Sequence, residues 1–208
     1  MRTKTLLLTA ALSAAGVMAT MAAGVTSVNV VGYINVSVPA GFSFIANQLS
    51  AQNEKISALI SRPPDGTVVY TWDNGFAANS FNLFGDETWD NPDTILTPGS
   101  GALIYNATAT AFTVTFVGEV KQGTLTTTIP NGFSFISSQV PQEGTLSALG
   151  YTAKDGDVLY KWDGGFSAST YNLFGDNTWD PAEPTLAVGQ SALLFSTGGS
   201  WSRTFNVP

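Results

Sequence analysis

Residues 41–105 recur as residues 132–195, and a chain that spells one segment twice is restricted to folds that can be built from two like parts. Gly41-Phe42-Ser43-Phe44-Ile45 returns as Gly132-Phe133-Ser134-Phe135-Ile136. Farther on, Asn82-Leu83-Phe84-Gly85-Asp86 with Thr88-Trp89-Asp90 reappears as Asn172-Leu173-Phe174-Gly175-Asp176 with Thr178-Trp179-Asp180. The offset is 91 residues at the first match and 90 at the later ones, so the copies differ by one residue between Gln48 and Ser57 or their partners. A copied block of this size is a whole supersecondary unit, longer than the ordinary solenoid period.

Strand signals dominate each copy. Val28–Val38, Phe42–Ala46, Thr67–Trp72, Ala102–Tyr105 and Ala111–Val117 are short apolar or alternating runs bounded by Gly, Pro, Asn and Asp. In Phe112-Thr113-Val114-Thr115-Phe116 three apolar side chains share one face and two threonines the other. Helical spacing is confined to Lys55–Ile60 and Thr145–Leu149, each long enough for a turn or two at the open end of a β unit. Between the copies there is no Pro-rich or Ser-rich spacer of the kind that separates independent domains. The expected fold is therefore all-β: two homologous tandem repeats, each sandwich-like or barrel-like, packed with pseudo-two-fold symmetry and sharing strands across the join. The predicted bounds are a leader over residues 1–23, a first repeat over 24–117 and a second over 118–208.

The leader is read as a secretory signal. Arg2 and Lys4 open it, an apolar run from Leu6 to about Ala19 follows, and Ala22 or Ala23 offers a cleavage site. No later stretch reaches the roughly 20 apolar residues of a membrane helix. The expected location is periplasmic, cell-surface or secreted, with no membrane span in the mature form. Without Arg2 and Lys4, the chain's 8 basic residues fall to 6, against 15 acidic ones, a net of −9. Such a surface disfavours nucleic acid and anionic membranes as partners.

Chemistry is narrowed further by what is missing. With 0 His and 0 Cys the chain cannot assemble a Ser-His-Asp or Cys-His triad, an ordinary zinc site or a thiol redox pair. Paired carboxylates and oxygen-only metal binding survive that filter.

The densest identity between copies runs from Trp72 to Asp90 against Trp162 to Asp180, where 13 of 19 positions agree. With its Tyr-x-Trp-Asp-x-Gly-Phe and Asn-Leu-Phe-Gly-Asp-x-Thr-Trp-Asp patterns, the chain resembles uncharacterised secreted bacterial proteins that carry two tandem aromatic and Gly-rich β repeats. That resemblance spans nearly the whole mature chain and implies a fold but no activity.

Within this block Tyr70, Trp72, Phe76, Phe81, Phe84 and Trp89 answer Tyr160, Trp162, Phe166, Tyr171, Phe174 and Trp179. The plain expectation is that these aromatics fill two matching cores. The functional alternative is a carbohydrate platform formed by the Trp89 and Trp179 loops, with Asp90 and Asp180 taking sugar hydroxyls. The same loops offer metal-binding oxygens at Asp86, Glu87, Asp90 and Asp93, and at Asp176, Asn177, Asp180 and Glu183. Calcium is the ion such a set would take, although the spacing matches no standard calcium loop. A third reading pairs Asp73 with Asp86, or Asp163 with Asp176, as the two carboxylates of a glycosidase. The leading expectation is a non-enzymatic structural or binding protein with no resident cofactor, whose partner is a cell-surface protein or a polysaccharide. Oligomeric state has no signature in the sequence.

Overall fold

The structure is a computed structural model that describes residues 30–207. The predicted leader and the first residues after it lie outside that range. Strands β1 (Val31–Val38) and β2 (Gly41–Ile45) open the chain and are followed by one helical turn, α1 (Ile56–Leu59). Next come β3 (Val68–Trp72), β4 (Phe76–Ser80), β5 (Ala102–Asn106) and β6 (Phe112–Glu119). The second copy supplies β7 (Gly123–Ile136), β8 (Gly144–Thr145), β9 (Val158–Trp162) and β10 (Phe166–Tyr171). It closes with β11 (Trp179–Asp180), β12 (Thr185–Leu186) and β13 (Ala192–Phe205).

The copies pair their strands in the same way. The first forms a sheet in the order β2-β5-β3-β4 and a separate ribbon β1-β6, and the second a sheet β11-β10-β9-β13-β7. Phe42 faces Tyr105 and Phe44 faces Leu103 in the first, just as Phe133 faces Phe195 and Phe135 faces Leu193 in the second. Where the first copy interrupts its long strands, the second runs straight on. β7 continues through Pro130, and its ladder with β13 skips the Pro130–Gly198 position because proline has no N–H to donate. All these sheets are antiparallel. None of them mixes strands from the two copies, so the expected sharing of strands across the join is corrected. β6 also runs to Glu119, two residues past the expected boundary.

Both faces of each main sheet are covered, which is why its inner strands read as unbroken apolar runs. In β5, Ala102 and Ile104 point into the first copy's own core with Ile45, Val69, Phe116 and Trp89, while Leu103 points the other way. In the second copy Ala192 and Leu194 join Ile136, Leu159 and Trp201. A third cluster lies between the sheets: Phe44, Leu103, Phe135 and Leu193, flanked by Phe42, Tyr70, Trp72, Phe133, Tyr160 and Trp162. Most of the shared aromatics thus divide between private cores and one common layer.

Contacts across that layer come in reciprocal pairs. Phe42 meets Trp162 and Phe133 meets Trp72, each at 5.1 Å between ring centres. Phe44 meets Phe166 and Phe135 meets Phe76, each at 6.2 Å, and the equivalent residues Phe44 and Phe135 meet each other at 5.7 Å. The backbone follows suit, with Ala46 N–H donating to the Gly189 carbonyl and Ser137 N–H to the Gly99 carbonyl.

The helical expectation survives in one copy only. Ile56–Leu59 makes a turn of α-helix, whereas Thr145 enters strand β8 and the residues after it form hydrogen-bonded turns. Gly144 pairs with Leu186 and Thr145 with Thr185, as Lys55 bridges to Ile95 in the first copy, and Leu149 N–H donates to the Thr145 carbonyl at 3.0 Å as Leu59 N–H does to that of Lys55. Arg203 sits in β13 opposite Leu125. Its guanidinium donates to Gln142 Oε1 at 2.6 Å and lies over the Phe205 ring. Partial burial lowers its pKa.

Candidate functional site

The Asn-Leu-Phe-Gly-Asp-x-Thr-Trp-Asp motif is a loop that builds itself from its own polar side chains. At its base Phe81 bridges to Trp89 and Tyr171 pairs with Trp179. Asn82 N–H donates to the Thr88 carbonyl and Asn172 N–H to the Thr178 carbonyl, each at 2.7 Å. Both asparagines have positive φ, 54° and 58°, a conformation that Asn tolerates better than most residues. Asn82 Oδ1 then accepts from Glu87 N–H at 2.7 Å, and Asn172 Oδ1 from Asn177 N–H at 2.8 Å. Asp86 Oδ1 accepts from Thr88 N–H at 3.2 Å, and Asp176 Oδ1 from Thr178 N–H at 3.1 Å. Hydrogen bonds from Thr88 and Thr178, side chain first and then backbone, hold these two carboxyls below the usual aspartate range.

What the loop presents is apolar. Leu83 and Phe84 are 60% and 83% exposed, and Leu173 and Phe174 are 54% and 76% exposed. The expectation that every paired aromatic fills a core is corrected here. Asn82 and Gly85 turn the chain so tightly that the two residues between them point away from the sheet. The signal was present in the sequence, because turn-forming Asn and Gly-Asp enclose Leu-Phe at both ends.

The predicted metal ligands do not converge. Asp90 Oδ2 accepts from Ser80 N–H, Asp93 forms an ion pair with Lys55 at 2.8 Å, and Glu87 stands exposed at the tip. Asp180 is an exposed residue of β11, the Glu183 carboxylate accepts from Ser147 N–H at 2.7 Å, and Asn177 lies at the loop's exposed rim. Among the described residues no three acidic side chains come together in a way that could hold a metal ion. Nor do the proposed catalytic pairs meet. Asp73 lies in the turn before β4 and Asp86 in the loop after it, so a five-residue strand spanning about 15 Å separates them. β10 separates Asp163 from Asp176 in the same way. A two-carboxylate glycosidase needs its acids about 5–9.5 Å apart.

The two loop tryptophans, equivalent in sequence, have different surroundings. Trp89 is 3% exposed, packs edge-on to Phe81 at 5.5 Å and donates its indole N–H to the Ile60 carbonyl at 2.9 Å. It is a core residue with no face to offer a ligand, so the platform expectation fails at Trp89. In the second copy Trp201 takes that role, buried in the core and donating to the Leu149 carbonyl at 3.0 Å. Tyr151, which stands where the first copy has Ser61, packs edge-on against Trp201 at 5.5 Å. With that core already filled, Trp179 is only half-buried, against Tyr171 at 5.4 Å. It lines an open cleft of about 590 Å³ with Tyr151, Thr152, Asn177 and Glu183. Comparison with protein-family models, with curated proteins and with solved structures finds no match.

Proposed function

We propose that the chain is an exported, non-catalytic binding protein whose two halves, related by a pseudo-two-fold axis, each offer a Leu-Phe tip to an envelope protein partner. The observation that carries this reading is the exposure of Leu83-Phe84 and Leu173-Phe174 on loops that both copies build with the same hydrogen bonds. Exposed Phe is costly to solubility, and a rigid loop that displays it twice suits recognition better than folding. Exposed Asp86 and Glu87 share the loop of one tip, and exposed Asp176 the loop of the other. A carboxylate rim repels anionic lipid and fits a partner whose apolar pocket has basic residues at its edge. No helix among the described residues is long and apolar enough to cross a membrane. Support for export comes from the sequence pattern of residues 1–23.

The test is adsorption of the protein to the producing cell's envelope fraction. We expect the doubly substituted Phe84→Ser, Phe174→Ser protein to melt like the parent and to lose adsorption by about tenfold or more, about 1.4 kcal/mol. Binding should weaken as salt screens the acidic rim, survive glycosidase treatment of the fraction and disappear after protease treatment. Undiminished adsorption by the double variant would overturn the reading. Tip-dependent self-association of the pure protein would replace the partner with a second copy of the chain.

A further inference from the structure

We propose that the cleft beside Trp179 binds one unit of a neutral saccharide, and that only the second half of the molecule has this site. A sugar ring has an apolar C–H face and a rim of hydroxyls, so its receptor needs an accessible aromatic face bordered by hydrogen-bonding groups. Trp179 supplies the face. Among the described residues nothing accepts its indole N–H, whereas the indoles of Trp89 and Trp201 are both engaged. One Glu183 oxygen is held by Ser147 N–H, which orients the carboxylate and leaves the other oxygen to accept from a hydroxyl. Thr152 and Asn177 add polar groups at the rim.

The rest of the cleft is preorganised. Tyr151 is buried, its hydroxyl donates to Asp157 Oδ2 at 2.5 Å, and that oxygen also accepts from Lys154 N–H at 2.8 Å. Burial and this bond together push the phenol's pKa far up, so Tyr151 remains a neutral donor to Asp157. The volume of about 590 Å³ falls within the range of small-ligand sites. No lysine or arginine lines it, and Glu183 is its only carboxylate, which excludes phosphorylated and uronic-acid ligands in favour of uncharged ones. In the first half the corresponding indole is buried in the core and offers no such face.

Affinity electrophoresis through gels containing soluble glucan, mannan, galactan, xylan or polygalacturonate, with tryptophan fluorescence as a second readout, tests the proposal. We expect at least one neutral polymer to retard the protein and the polyuronate to leave it unaffected. Trp179→Ala should weaken retardation about tenfold or more, and so should Thr152→Trp, which crowds the exposed lip without touching the core. The Phe84→Ser, Phe174→Ser protein should be retarded like the parent, which separates this site from the loop tips. Absence of retardation by all four neutral polymers, or parental retardation of Thr152→Trp, would overturn the proposal. Thr152→Trp decides the matter if Trp179→Ala loses its fold.

Discussion

At the scale of single residues the molecule shows how identical amino acids acquire different jobs. Trp89 and Trp179 end the same motif, yet Trp89 is a buried member of the first core and Trp179 borders the second. The cause lies elsewhere in the chain, in Tyr151 and Trp201, which have filled the second interior before Trp179 can enter it. Truncation should therefore have unequal effects. We expect Trp89→Ala to cost about 3–5 kcal/mol in chemical denaturation, the range for a buried tryptophan, and Trp179→Ala to cost about half of that or less. Equal losses would mean that the two indoles are buried alike. Neither outcome could be read from the motif, because its nine letters are nearly the same in both copies.

At the scale of elements, the strands were legible and the edges of the sheets less so. β1, β2, β3, β5 and β6 follow from apolar periodicity. β4 and β10 do not, because Phe76-Ala77-Ala78-Asn79-Ser80 and its counterpart lie largely exposed and take their shape from pairing with β3 and β9. The loops after them are held by Asn and Asp side chains, and this makes them sensitive to acid. Asp86 and Asp176 have folded-state pKa values below the 3.8 of the free side chain. Their contribution to loop order is thus complete above that value and is lost as pH falls through the lowered folded-state pKa. We expect the amide resonances of Thr88 and Thr178 to titrate together, below pH 3.8, with core amides unmoved. Invariant Thr amides across that range would show that the carboxylates do not hold the loops.

At the scale of the whole molecule, the aromatic layer between the sheets decides how many folding units exist. Each half would expose Phe44 and Leu103, or Phe135 and Leu193, if it stood alone. The contact is also close at its centre, where Gly101 meets Ser191, its equivalent in the other copy. A Cβ on Gly101 would lie 2.1 Å from the Ser191 Cβ, so only one of these two matching positions can carry a side chain. We expect fragments 24–121 and 122–208 to aggregate or remain unfolded separately and to form a one-to-one complex when mixed, measured by size-exclusion chromatography and circular dichroism. Gly101→Val in the first fragment should block that complex. Two fragments that fold independently and ignore each other would show that the layer is incidental.

The amino-acid sequence by itself determined that the chain is β-built from a doubled unit and lacks the side chains for triad, thiol or ordinary zinc chemistry. Those properties depend on local periodicity and on which residue types exist at all. Only the tertiary structure decided which tryptophan is exposed, that Leu-Phe pairs stand in solvent, and that the loop carboxylates part company. Burial and convergence depend on neighbours distant in the chain, and the two copies do not have the same neighbours.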